Sequence, residues 1–381
     1  MRSAIAQGGF TLAHSAIGTS AAAAAQAPSA TCEYDYVLNC QPLAHRSGLA
    51  LALSTHTLQL RSLETLALCH EFCAHKSTVH EVWTSRVSPH QLATCSSDKC
   101  VKLWDTRMAL AAMEVPVGCE VWSLSIGCEE TLLAVGTDDC VLLYDVRTGL
   151  KLVEYSESHV DAITQVRFHP TQSAFVATAS EDGVVCLFDC RISDEDDALE
   201  SIVNVESAVA TLGFFGLQKE KIYCLTGTET LDLWNIWTAE RLHHYDTIRD
   251  DCNGNNVATD YLIDCVYDEC SDELFLLAGS HDGNLNAIKI GVDAASKGKL
   301  QHVAALNGGH KACVRCMYYD RESTTLYTGG EDTRLCKWTA PGVAGAWSGS
   351  LPNLSSTTSS RKATGLDHAG IRKARKSSRP Y

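Results

Sequence analysis

The sequence predicts an all-β protein, a seven-bladed β-propeller over residues 31–340 with a short segment before it and a basic tail after it. Three observations carry that prediction. Short blocks ending in an aromatic or apolar residue plus Asp or Asn recur at intervals of roughly 40 to 54 residues. The stretches around them alternate apolar and polar residues with turn residues between, and no long amphipathic helix interrupts them. Three copies also share a His, a Thr, an Asp and an aromatic residue at nearly constant spacing.

The blocks run in order along the chain. A degenerate first copy, "LSTHTLQLRS", ends at Ser62. It is followed by "SSDKCVKLWD" to Asp105, "GTDDCVLLYD" to Asp145, "SEDGVVCLFD" to Asp189, "TGTETLDLWN" to Asn235, "GSHDGNLNAIK" to Lys289 and "GGEDTRLCKW" to Trp338. Arg61, Trp104, Tyr144, Phe188, Trp234, Ile288 and Trp338 then hold equivalent positions, one per blade. Within the second copy, "VHEVWTSRV", "QLATCSS", "KCVKLWD" and "LAAMEV" read as the four strands of one small sheet. Radial stacking of such sheets protects their edges.

Ring closure needs one more strand, because residues after Trp338 turn at once to Gly, Pro and Ser. Phe10–Ile17 is the candidate closing strand, tethered by the Ala-rich stretch Gly18–Ala30 within a flexible extension, residues 1–30. A transit peptide is the rival reading of those residues, weakened by Arg2 being their one basic residue.

In the second, fourth and seventh blades the shared sets are His75, Thr94, Asp98, Trp104; His159, Thr178, Asp182, Phe188; and His310, Thr328, Asp332, Trp338. Imidazole, hydroxyl, carboxylate and indole N–H can form one hydrogen-bonded chain that pins strands and a turn. The same residue types make a catalytic triad, but three repeated copies favour a structural role. No nucleophile and base stand outside the pattern, so no enzyme and no cofactor are expected. The first blade lacks the network, Thr228 replaces the turn Asp in the fifth, and Ile288 replaces the aromatic in the sixth, so those blades are expected to rely on apolar packing.

The net charge of −15 is unevenly spread. Arg361, Lys362, Arg372, Lys373, Arg375, Lys376 and Arg379 against Asp367 give the last residues about +6, leaving a body near −21. Such a body repels phosphate and selects for basic protein segments as partners. No run approaches the roughly 18 apolar residues of a membrane span. Of the 18 cysteines, Cys313 and Cys316 form the one C-x-x-C, on opposite faces if the segment is a strand. The group Cys69, His70, Cys73 and His75 has no second ligand pair at zinc-finger spacing, so no metal is expected.

On these residues the chain resembles the WD-repeat (WD40) superfamily across 34–340. More narrowly it is similar to the WD repeat-containing protein 89 family, through "SHVDAITQVRFHP" (158–170), "SEDGVVCLFD" (180–189), "DEDDAL" (194–199), "KIYCLT" (221–226), "DYLID" (260–264), "GGHKACVR" (308–315) and "TGGEDTRLCKW" (328–338). A basic tail like "RKARKSSRP" is shared too. The resemblance implies a seven-bladed propeller without enzymatic activity.

Three surfaces are candidates for binding. "LWDTR", "LYDVR" and "LFDCR" place Arg107, Arg147 and Arg191 just beyond the third strand of consecutive blades. The fuller form "LATCSSDKCVKLWDTR" resembles the box of propellers that serve as substrate receptors of cullin-RING ubiquitin ligases, in which this Arg docks on the adaptor. The alternative is that each Arg pairs with a carboxylate in its own blade. On the other face, Ser97, Thr137, Glu181, His281 and Glu331 precede the turn Asp and border the central channel, where the carboxylates suit a basic segment. The run Asp194, Glu195, Asp196, Asp197 reads as an exposed loop. Lastly, residues 341–381 read as a disordered tail, a nuclear import signal or an RNA-contacting patch. The leading expectation is a nuclear or cytoplasmic interaction scaffold, and the alternative is a nuclear RNA- or ribosome-assembly-associated factor.

Overall fold

The computed structural model describes residues 10–17, 35–108, 110–254, 257–292 and 298–339. They form seven four-stranded antiparallel sheets arranged in a ring, a seven-bladed β-propeller. The innermost strands are Val37–Pro42, Val79–Thr84, Ser123–Gly127, Gln165–Phe168, Val209–Phe215, Tyr261–Asp268 and Val314–Asp320. Each lies against the next around the ring, and the seventh lies against the first. These strands surround a central bore.

Thr11–Ile17 pairs antiparallel with Arg334–Thr339, Thr11 opposite Thr339 and Ile17 opposite Arg334. The outermost strand of the seventh blade therefore comes from the start of the chain and spans residues inside the 10–17 window. Phe10, just before it, is buried among Phe275, Leu277 and Trp338.

Burial follows strand position. Second strands are enclosed on both faces by neighbouring blades, so Leu49–Leu53 and Thr325–Gly330 are buried at every residue. Outer strands alternate, as in Ala111–Pro116, where half-buried and exposed positions take turns. The apolar interior is split accordingly into one cluster in each of the seven gaps between blades. At the closing gap, Val37, Leu49 and Leu51 of the first blade meet Tyr327 and Leu335 of the seventh. Gly329 fits there because a Cβ would come within 2.5 Å of Val37.

Because every blade is a meander, its turns fall at two ends of the ring. The turns between second and third strands and the blade-to-blade connections occupy one end, and the other two turns of each blade occupy the opposite end. The first we call the acidic end and the second the arginine end, for reasons given below. Among the described residues no helix is long and apolar enough to cross a membrane.

Candidate interaction surfaces

The repeated His, Thr, Asp and Trp residues lie where the blade-to-blade connections cross the second-to-third turns. In the second blade, His75 Nδ1 is 2.9 Å from Asp98 Oδ2 and its Nε2 is 2.7 Å from Thr94 Oγ1, while Trp104 Nε1 donates to the same hydroxyl at 2.8 Å. The seventh blade repeats this through His310, Asp332, Thr328 and Trp338 at 3.0, 2.8 and 2.8 Å. In the fourth, His159 meets Asp182 at 3.1 Å and Thr178 at 2.8 Å, and Phe188 stacks on Tyr155 with no indole donor. A carboxylate only accepts, so Nδ1 carries the proton, Nε2 accepts from the Thr hydroxyl, and the Thr oxygen accepts from the indole. Each Asp also accepts the backbone N–H after its His, at Lys76, Val160 and Lys311.

Burial pulls His75 and His159 below the ordinary imidazole value, against the neighbouring carboxylates. Burial alone would raise Asp98 and Asp332, but the donors around them outweigh it and hold both carboxyls low. Thr94, Thr178 and Thr328 have no exposed surface. With their hydroxyls enclosed and already engaged, these sets offer no substrate a nucleophile.

The first, fifth and sixth blades, expected to rely more on apolar packing, also carry polar contacts of their own. In the first, Arg61 is buried and donates Nε and Nη2 to Gln59 Oε1 at 2.9 and 2.8 Å and Nη1 to the Leu66 carbonyl, and Gln59 donates to Glu71. A side-chain fork thus substitutes for the missing network. In the fifth, the hydroxyls of Ser207, Thr228, Thr226 and Thr230 form a chain where His and Asp stand elsewhere. Asp232 is buried beside His244 and Arg241, and burial raises its carboxyl despite them. Trp234 keeps its place, but its Nε1 has no acceptor among the described residues. The sixth blade does pack Ile288 in an apolar cluster, yet it also ties Asn286 to the Ala258 carbonyl and to His302. Periodicity cannot reveal these solutions because each uses different positions.

At the acidic end, carboxylates in the loops outnumber Lys and Arg by more than four to one. In the second-to-third turns of this end, Asp138, Asp139, Glu181 and Asp282 are exposed. The residues before the turn Asp do not present themselves equally. Thr137 is buried with its hydroxyl on the Cys140 carbonyl, and Ser97 is bonded to His80. His281 sits 3.3 Å from Cys313 Sγ, while Glu331 is paired with Arg315 at 2.5 Å. Of the two channel carboxylates read from the sequence, Glu181 is therefore the open one, and Glu331 is neutralised by a neighbour the pattern did not include. Two aromatic groups lie at this end: Trp122, tilted against His80 with ring centres 4.6 Å apart and donating to Asp138, and Tyr261 near His281.

Inside the bore the inner strands are stitched by side chains that sequence spacing does not mark. Glu81 accepts from Ser123 Oγ and Leu124 N–H and pairs with Arg167 at 2.6 Å, spanning the second to the fourth blade. Burial opposes the Arg167 charge, but Glu81 outweighs it and holds the guanidinium above its ordinary value. Farther round, Tyr223 donates to Asp264 at 2.9 Å, whose carboxyl burial raises.

The arginine end has a nearly even balance of charge in its described loops. Arg107 folds onto Asp105 with two bonds of 2.8 and 2.5 Å, and Arg191 does the same on Asp189. Arg107 holds Asp105 well below the carboxylate range. Arg147 differs, because Asp145 is taken by Thr148 and no ion pair or side-chain hydrogen bond holds the guanidinium among the described residues.

The acidic run is not a free loop. Asp194 caps a short helix, Glu195–Ala198, and Glu195 accepts the N–H groups of Ser156, Glu157 and Ser158. Glu195 thereby fixes the connection between the third and fourth blades, leaving Asp196 and Asp197 exposed. Cys313 faces His281, whereas Cys316 lies against the Val37 carbonyl of the first blade. Among the described residues no three His, Cys, Asp or Glu side chains are placed to hold a metal ion. The basic tail lies outside the described residues.

Comparison with known proteins agrees with this architecture. The family model for the WD domain, G-beta repeat, matches residues 66–105, 151–189 and 300–339. WD repeat-containing protein GTS1 of Arabidopsis thaliana is 33% identical over 324 residues, covering 80% of this chain and 81% of the relative. The WD repeat-containing protein 89 homolog of Dictyostelium discoideum is 27% identical over 293 residues, covering 76% and 79% respectively.

Proposed function

The chain belongs to the WD-repeat family, whose propellers serve as protein-interaction scaffolds, and we propose that this non-enzymatic scaffold receives a Lys- or Arg-rich segment of a partner on its acidic end. The observation that supports it most is the segregation of charge: the exposed carboxylates Asp138, Asp139, Glu181 and Asp282 stand in second-to-third turns, all at one end of the ring. Excess negative potential there steers cationic segments and makes binding fall with salt. The flat faces of Trp122 and Tyr261 add sites for the aliphatic stems or guanidinium planes of such a segment. The test is fluorescence anisotropy with a Lys/Arg-rich peptide of about twelve residues. Salt-sensitive binding that Asp139→Asn with Glu181→Gln weakens supports the reading, and binding unchanged by that pair refutes it.

A second reading, reception for a cullin-RING ligase, draws on the box around Arg107 and on Arg147 having no ion pair among the described residues. Recovery of the adaptor with the wild type but not with Arg107→Ala plus Arg147→Ala supports it, and equal recovery refutes it. The nuclear and RNA-contacting roles read from the tail concern residues outside those described, and removal of 361–381 tests both through localisation and salt-sensitive RNA recovery.

A further inference from the structure

Large apolar side chains left open on this ring are not evenly scattered. At the junction of the second and third blades, at the arginine end, Leu110, Leu150, Leu152 and Met108 are 75%, 65%, 56% and 55% exposed. The two blades touch here: a Cβ at Gly149 would lie 3.1 Å from Met113 Sδ and 3.4 Å from Val115. Leu150 and Leu152 directly follow that glycine, while Met108 and Leu110 directly precede the strand that carries Met113. Single exposed apolar residues are ordinary, but a patch shared by two adjoining blades marks a surface that another molecule covers.

The charges around the patch indicate what covers it. Arg147 lies in the same turn as Leu150, three residues before it, and makes no ion pair among the described residues, although its charge helps to lower the Asp145 carboxyl. The nearby carboxylates are already engaged: Asp105 by Arg107, Asp145 by Thr148, and Glu154 by Lys151. Glu114 is nearer Lys102, at 3.9 Å, and Cys100 donates to it. Among these groups Arg147 is the one whose guanidinium has no ion pair or side-chain hydrogen bond among the described residues, which leaves its donors open to a carboxylate.

We propose that this junction docks a segment of a partner protein that presents two or three Leu-, Met- or Phe-like side chains beside an Asp or Glu, the apolar groups covering Leu110, Leu150 and Leu152 and the carboxylate pairing with Arg147. Covering the leucines supplies the affinity, and the carboxylate sets the register through a bidentate contact. The surface is separate from the acidic end, so the scaffold can hold a basic and an acidic-apolar segment at once. The inference does not depend on either partner being a ligase subunit.

The experiment is selection of peptides from a random 12-residue display library on the full chain, followed by anisotropy with the enriched peptides. The expected sequences combine apolar residues with Asp or Glu. Their binding weakens at least about tenfold in Leu150→Ser with Leu152→Ser, several-fold in Arg147→Ala, and recovers in Arg147→Lys in part. Asp139→Asn with Glu181→Gln leaves it unchanged. All these positions are exposed, so an unaltered melting temperature certifies each variant as folded. Enriched peptides without carboxylates, equal binding to the leucine variant, or a wild-type dimer in sedimentation that the leucine variant dissolves would each overturn the proposal, the last because a second copy would then be the occupant.

Discussion

The two ends of the ring are made by the same strands, yet one gathers carboxylates in its turns and the other combines a balanced charge with exposed leucines and arginines. The second strands cannot carry this difference, because their faces are enclosed between blades. The turns are free to vary, and the meander sends alternate turns to opposite ends. A repeat that constrains the blade thus leaves two independent surfaces to diversify. The ends also differ in what their charges do: Asp98, Asp182 and Asp332 hold the acidic end together, whereas Asp105 and Asp189 quiet arginines at the other.

The sharpest break of the comparison removes a structural carboxylate from the acidic end. Asp332→Ala strands the His310 ring and the Lys311 N–H, and should cost about 2 to 3 kcal/mol in denaturant unfolding. Asp139→Lys with Glu181→Lys, in contrast, should leave stability unchanged and weaken binding of a Lys/Arg-rich peptide about tenfold at low salt, with the difference shrinking as salt rises.

A pH series reads the buried imidazoles without mutation. Because burial holds His75 and His159 below their unfolded value of 6.5, the folded protein keeps them neutral while the unfolded chain takes up protons. Their contribution is complete above that value and is lost as pH falls through it, so the melting temperature should drop between pH 7.5 and 5.5. Replacing His159 with Asn should flatten part of that slope. At the opposite end, Arg107→Ala should leave the melting temperature unmoved, since the Asp105 pair is exposed to solvent.

Much of the fold was legible because it rests on local order. The His to Thr to Asp to Trp sets lie within single blades or their entry turns, so fixed spacing in sequence becomes fixed spacing in space. The weak blades were less legible, for the Arg61–Gln59 fork and the Ser207–Thr228 hydroxyl chain solve the same problem with unrelated residues. Of the channel residues, Glu181 is open while Thr137 and Glu331 are engaged, which depends on the Cys140 carbonyl and on Arg315. Neither neighbour is implied by a repeat.

By itself the sequence determined the blade: alternating residues make strands, turn residues end them, and a repeat of roughly forty residues forces small sheets to bury their faces against one another. Only the tertiary structure decided which charges are spent and which are open. Arg167 reaches Glu81 across a blade, Glu195 gathers the amides of Ser156 to Ser158, and Arg147 makes no ion pair among the described residues. The physical reason is distance: a charge is spent by whatever lies within about 4 Å of it, and in a ring of stacked sheets those neighbours come from other blades.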